Sequence, residues 1–340
     1  MKKTVYLGFS RLLIWALAIP SFAQDNTPDG LYTAYYGERD AAKKTQFGEQ
    51  FINNPDPAFK TSQYFPYIFG QIFNGYASTG NLAKVMDTAD KLATIAPNAD
   101  AKMKVAVQST AMALAYQGNN TAKTVEYGDK VLALDPGNVQ ALMAVPLSLL
   151  SSVSQATGAA KDSALAKAAE YSKKLVGAPK PAGMADAEWQ GVQAQGQSTL
   201  GMVLVSQTKY EDAIPVLEEA LKLNKKDDQS HYNLGLSYSN QLPQARQAAL
   251  DAFNEENAAK KARKDQFEID ELSAKSSALQ TEFGVKRDQA IEAFAKAVAV
   301  AGPYAAPART QLERLWKQKN NDTLDGLEAL VAQKKIEIGD

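Results

Sequence analysis

Along most of the chain, small and apolar residues return every three or four positions, and the pattern stops and restarts at Pro, Gly or Asn. Four stretches share this layout: 81–97 (NLAKVMDTADKLATIAP), 121–136 (TAKTVEYGDKVLALDP), 209–225 (KYEDAIPVLEEALKLNK) and 287–302 (RDQAIEAFAKAVAVAG). In the third, Tyr210, Ala213, Leu217, Ala220 and Leu221 fall on one side of a 3.6-residue period, which predicts a helix with one apolar and one wet face. The Pro, Gly or Asn near each end stops that helix and frees the chain to turn. Upstream lies a partner helix with its own small-residue pattern, as in Leu200, Gly201 and Leu204, or Leu234, Gly235 and Tyr238. Short turns such as 78–81 (STGN) and 117–120 (QGNN) join the partners, and glycine there adopts the backbone a tight helix–helix turn needs. No stretch reads as a strand, so the expected class is all-α.

The order Leu-Gly, an aromatic or Leu three residues on, then Ala, a bulky residue, Ala and Pro resembles the tetratricopeptide repeat (TPR) of about 34 residues. The best unit places Leu200, Gly201, Leu204, Ala213, Leu217 and Ala220 at matching positions, with Lys225 where the motif prefers proline. The next offers His231, Leu234, Gly235 and Tyr238, then Ala290, Phe294, Ala297 and Gly302. Phe69, Ile72, Tyr76, Leu92 and Pro97 fit a first unit; Ala111, Ala115, Val131 and Pro136 fit a second. Residues 138–177 form a divergent third, with Pro146 inside its first helix. The resemblance implies a right-handed α-solenoid of about five helix pairs, in which each unit shares its core with its neighbours and the ends need caps. Residues 31–54, with Phe47 and Phe51 a turn apart, and 303–335, with Leu312, Leu315 and Trp316, supply those caps.

In the last unit the second helix arrives late. The intervening stretch, 242–286, is charge-rich, nearly neutral and helix-favouring, which predicts an inserted helical hairpin turning near Arg263, Lys264 and Asp265. Pro243 is expected to break the helix before it. The insertion reads equally as a functional feature or as a tolerated solvated one.

Residues 1–23 carry Lys2, Lys3 and Arg11, an apolar run from Leu12 to Ile19, and Ser21-Phe22-Ala23. That order predicts a secretory signal peptide cleaved after Ala23, its apolar run too short to span a bilayer. The expected organisation is a signal peptide over 1–23, a linker and capping helix over 24–65, a solenoid over 66–302 and capping helices over 303–340. A bacterial periplasm is the expected compartment, with secretion second. Cysteine is absent, which removes disulfides and thiolate chemistry. Losing three cations with the leader takes the net charge from −1 to −4, no field for nucleic acid.

His231 is the one histidine and stands where the repeat packs a large residue. Carboxylate pairs such as Glu218-Glu219, Asp227-Asp228 and Glu255-Glu256 read as solvated helix faces. No catalytic constellation, metal site or cofactor is expected. In TPR proteins the first helix of each unit lines a concave peptide-binding face. Carried across, that register selects Tyr67, Gly70, Gln71 and Asn74; Ser109, Thr110 and Ala113; Gln195, Ser198, Thr199 and Met202; and Gln229, Tyr232, Asn233 and Leu236. These residues are uncharged and mostly polar, with a few apolar or aromatic members. Relatives that hold an acidic tail use lysine and arginine there, and only Asn233 matches that clamp, so an uncharged extended peptide is the expected ligand. Phe65, Phe69, Phe73 and Tyr76 form a stripe read as core; Tyr64 and Tyr67 lie off it. The expected function is a non-enzymatic protein- or peptide-binding scaffold of the cell envelope. The alternative is a periplasmic small-molecule binder with an enclosed, aromatic-lined groove.

Overall fold

A computed structural model describes residues 25–339. Residues 1–23, where a signal peptide is expected, lie outside the described residues. Sixteen helices and no strand occur among the residues described, and the fold is all-α, built from successive helix pairs. The chain divides into two compact units between Asp100 and Ala101.

The first unit contains α1 (Pro28–Gly37), α2 (Ala41–Ile52), α3 (Pro57–Thr61), α4 (Phe65–Ser78), α5 (Leu82–Asp90) and α6 (Leu92–Ile95). Asp40, Asp56 and Asn81 accept backbone N–H bonds at the starts of α2, α3 and α5, satisfying donors a helix leaves open. Phe65, Phe69, Phe73 and Tyr76 are all buried, so the aromatic stripe of α4 is core as its spacing predicts. Phe51 and Phe59 meet edge to face at 5.0 Å beside it. The helix expected within 81–97 is interrupted at Lys91, which separates α5 from α6.

The second unit runs through α7 (Ala101–Gln117), α8 (Thr121–Leu134), α9 (Val139–Val153), α10 (Gly158–Val176), α11 (Asp186–Ser206), α12 (Tyr210–Leu223), α13 (Asp228–Lys261), α14 (Gln266–Val300), α15 (Ala305–Lys319) and α16 (Leu327–Glu337). Odd and even helices pair as α7 with α8, α9 with α10, α11 with α12 and α13 with α14, and each even helix also packs on the next odd one. The odd helices α7, α9, α11, α13 and α15 touch in series, forming a row of first helices. Close pairing depends on two glycines of the repeat pattern. A Cβ on Gly201 would stand 2.4 Å from Leu217 Cδ2, and one on Gly235 would stand 2.7 Å from the Phe294 ring. Leu217 and Phe294 fill the space that glycine leaves, and both are fully buried.

The turns inside the pairs repeat as well, across both units. Gly80, Asn119 and Thr208 adopt left-handed backbone with φ of 66°, 55° and 60°. In each case the next N–H, of Asn81, Asn120 or Lys209, returns to the carbonyl of Tyr76, Ala115 or Leu204 at 2.9, 2.8 or 2.9 Å. This closes the first helix in the same way each time. Gly and Asn tolerate that conformation, whereas Thr208, branched at Cβ, is strained in it.

One expectation requires correction. Pro243 does not end its helix: α13 continues from Asp228 to Lys261 with Pro243 inside it. The proline is exposed, so its ring faces solvent and its missing N–H removes a single helical bond, the one to the Ser239 carbonyl. The extra residues therefore lengthen both helices of the unit, and no separate element is inserted between them. The two meet in a turn at Arg263, where φ is 53°.

The projecting part of this hairpin has a seam of its own. On α13, Leu242, Ala249, Ala252, Glu256 and Ala259 are buried and Ala245 half-buried, steps of three and four that define a coiled-coil stripe. On α14 the answering stripe is Ile269, Leu272, Ser276, Leu279 and Phe283, half-buried apart from the buried Ser276. Glu256 occupies a core position of that seam. It accepts from Ser273 Oγ at 2.7 Å and pairs with Lys260 at 2.5 Å. The bond from Lys260, reinforced by Ser273 and Ser276, pulls its carboxyl down to about 2. A satisfied polar group among the alanines of the α13 stripe fixes the register of the two helices.

Candidate functional site

The residues that best form a site lie where α11, α13 and the start of α15 meet along the row of first helices. Met202, Gln229, Tyr232 and Leu236 are each half-buried. Gln229 Nε2 donates to the Tyr304 hydroxyl at 2.6 Å and sits 2.9 Å from Met202 Sδ, tying all three helices together. The Tyr232 ring lies 5.4 Å from Tyr304 and 5.8 Å from the buried Phe294. Leu236, one turn beyond Tyr232 on the same helix face, packs on the core cluster of this region.

Tyr304 is held from below as well. Its backbone N–H donates to Asp228 Oδ2 at 2.7 Å, so the carboxylate at the start of α13 fixes the entry into α15. Burial raises the phenol of Tyr232, and burial also raises that of Tyr304 against the opposing bond from Gln229. Both stay neutral and able to donate at physiological pH. The patch thus offers an amide, two phenols, a thioether and an aliphatic side chain, and none of these five is ionised. Such groups pair with peptide N–H and C=O groups while the ring faces supply apolar area.

The other expected positions divide. Gln195 is half-buried on α11, with Nε2 donating to Thr199 Oγ1 at 3.3 Å, and lines a cleft of 410 Å³ between α11, the end of α12 and the start of α13. Ser198, Thr199 and Asn233 do not reach the open face and are corrected to packing positions, at 2%, 4% and 5% exposure. Ser198 Oγ accepts from Ser230 Oγ at 2.9 Å, between α11 and α13, and Asn233 Nδ2 donates to the Gln229 carbonyl at 2.9 Å. The repeat register places them on the open face, but close-packed first helices bury small hydroxyls and amides that bond locally. Ser109 is half-buried on α7, and its Oγ is sealed without a partner.

Tyr67, Gln71 and Asn74 are exposed on α4 in the first unit. Tyr67 meets Tyr32 and Tyr35 edge-on, each at 6.5 Å, and Tyr64 stacks on Tyr32 at 3.9 Å. Tyr64 and Tyr67 are therefore part of a tyrosine group completed by α1, whose contribution the sequence pattern did not indicate. Tyr304 was also missed, because it lies in a turn after Pro303 outside the helical register. On α9, Met143, Ala144 and Leu147 are half-buried, occupying the row between α7 and α11.

His231 is buried on α13 as the repeat register predicts. Its Nε2 lies 3.0 Å from the Lys225 carbonyl, so that nitrogen carries the proton, and Nδ1 has no partner. Burial pushes its pKa below the ordinary histidine value. The ring is a neutral packing group. Among the described residues no cluster of His, Cys, Asp or Glu suits a metal ion, and no helix is long and apolar enough to cross a membrane.

A family model for the TPR repeat matches residues 201–241, from Gly201 on α11 through α12 to Gln241 on α13. The match supports the tetratricopeptide-repeat family for this chain, and such repeats generally mediate protein–protein interaction. It covers Met202, Gln229, Tyr232 and Leu236, four of the residues that form the patch. No curated protein matches the chain.

Proposed function

We propose that this chain is a non-enzymatic scaffold or adaptor that holds an uncharged, extended segment of a protein partner against its row of first helices. The observation that carries the reading is the junction of Met202, Gln229, Tyr232 and Tyr304, where three helices are tied by neutral donors and acceptors. Its position inside the matched repeat supports a role in interaction. The order of charge, apolar run and small residues over 1–23 supports export, and with it a place in a bacterial cell envelope.

The test is cross-linked recovery of partners from envelope extract with wild type and with a Gln229→Ala, Tyr232→Ala double variant. The variant is expected to lose wild-type partners while keeping its helical signal. Equal recovery of the same partners by a folded variant would remove this face from the function. Thermal stabilisation by small metabolites alone, with no protein recovered, would favour the small-molecule reading instead.

A further inference from the structure

At the base of the hairpin, where α13 and α14 leave the repeat body beside the end of α15, lies a cleft of 660 Å³. Three helices bring arginines into its lining: Arg246 from α13, Arg287 from α14 and Arg314 from α15. Neither a lysine nor a carboxylate lines it. This concentration is unusual for the chain, whose 37 basic residues include only seven arginines: Arg11, Arg39, Arg246, Arg263, Arg287, Arg309 and Arg314.

Neighbouring cations are neutralised by internal partners, whereas of the three cleft arginines only Arg287 reaches a carboxylate, one it shares with Lys319. Lys286 pairs with Glu282 at 3.3 Å and Lys319 with Asp288 at 2.9 Å, while Arg309 is held by both Glu313 and Glu328. Arg314, by contrast, meets only the amide oxygen of Gln311, at 3.2 and 3.1 Å. Arg287 stacks over the Phe283 ring at 5.8 Å and reaches Asp288 only at 3.4 Å, a carboxylate Lys319 already holds. Arg246 makes no ion pair among the described residues. Three guanidinium forks with spare donors match carboxylates in planar, bidentate geometry.

The remaining walls are apolar. Pro243, Leu250 and Phe283 line the same cleft, and Leu250 is 45% exposed. Beyond Leu250, Phe253 continues up the outside of α13, also at 45% exposure. A single inorganic anion leaves that apolar area uncovered and most of the volume unfilled. We propose that this cleft binds an acidic segment of a protein partner, one whose Asp or Glu side chains pair with Arg246, Arg287 and Arg314 while a Leu or Phe covers Pro243, Leu250 and Phe283. None of the residues lining this cleft belongs to the uncharged patch of Met202, Gln229, Tyr232 and Tyr304, so the site does not depend on the function proposed for that patch. Its charge selects a different partner chemistry and makes binding salt-sensitive.

The experiment is fluorescence anisotropy on the mature chain with a labelled peptide of Glu pairs separated by Leu and Phe. Two control peptides replace every Glu by Gln or by Lys. The Glu peptide is expected to bind, to weaken as salt rises, and to lose about tenfold or more with the Gln replacement. Arg246→Ala with Arg314→Ala, both exposed, should give a similar loss with an unchanged melting midpoint. Arg246→Glu with Arg314→Glu should transfer preference to the Lys peptide. The Gln229→Ala, Tyr232→Ala variant should bind the Glu peptide as wild type does, which separates this site from the first-helix patch. Equal binding of Glu and Gln peptides, or binding untouched by either arginine pair, overturns the proposal. Displacement of the peptide by equimolar inorganic phosphate also overturns it, by showing a small-anion site.

Discussion

Within the repeat body, α13 and α14 meet through a glycine and an aromatic ring: Gly235 lies against Phe294, with α12 and α15 packed alongside. Past Leu242 the same two helices meet through Ala249, Ala252 and Ala259 on one side and mostly Ile, Leu and Ser on the other. The body thus draws its stability from a core shared with neighbouring units. The hairpin has only its two helices, so small residues bring them close and Glu256 sets their alignment. One continuous pair of helices carries two solutions to the same packing problem. The solution changes where outside support ends.

The sharpest way to break that comparison is one substitution made in both places. Gly235→Ala drives a methyl into Phe294 and is expected to cost about 1–3 kcal/mol, read by chemical denaturation. Gly284→Ala, on the hairpin side of α14, meets nothing within 4 Å. It is expected to stabilise the helix by about 0.5–1 kcal/mol. Equal effects at the two sites would show that body and hairpin are packed alike.

Next in size is Glu256→Ala. It removes the acceptor of Lys260 and Ser273 from the hairpin seam. Amide protection across 249–259 should fall about tenfold while the global midpoint stays near wild type, a local loss in a weakly supported element. A matching fall in the midpoint would show that the hairpin unfolds together with the body.

Acid should separate the two regions. His231, in the body, has a folded pKa below its unfolded value of about 6.5, so its contribution is full above that pH and is lost as pH falls through the lowered value. Glu256, in the hairpin, is held down to about 2, so its contribution is full above about 4.3 and disappears only as pH falls toward 2. Hydrogen exchange corrected for intrinsic rate should show the body loosening first, and His231→Phe should flatten that phase. The smallest change is expected at a turn. Thr208→Asn, copying Asn119 in an earlier pair, should relieve left-handed strain and raise stability by about 0.5–1 kcal/mol in the same denaturation assay. Arg263→Asn at the hairpin turn should leave the global midpoint where it is.

Much of the architecture was legible because it repeats. Apolar spacing in 209–225 and its relatives marks the second helices, and Gly80 and Asn119 mark the turns with the residues that conformation favours. Pro243 misled because its effect depends on which way it faces. An exposed proline costs a helix one bond, and flanking contacts between α13 and α14 outweigh it. The alanine and Glu256 stripe follows heptad spacing, but the charged residues between its positions mask the seam in the sequence. The candidate site was less legible. Met202, Gln229 and Tyr232 followed from register, but Tyr304 comes from a turn and reaches Gln229 across 75 positions. Ser198, Thr199 and Asn233 needed the spacing between first helices, which no local pattern reports. Arg246, Arg287 and Arg314 are unremarkable one at a time and converge only when three helices are placed together.

The uninterrupted course of α13 also sets a length scale. From Leu242 to Lys261 a straight helix covers roughly 30 Å, and just past its end Phe267 stands 73% exposed on the facing helix. The braced pair is therefore a spacer: a molecule seated among the arginines at its foot and another touching Phe267 at its tip are kept about that far apart. Inserting or removing whole heptads in both helices changes that separation by about 10 Å a step and leaves the chemistry at each end intact.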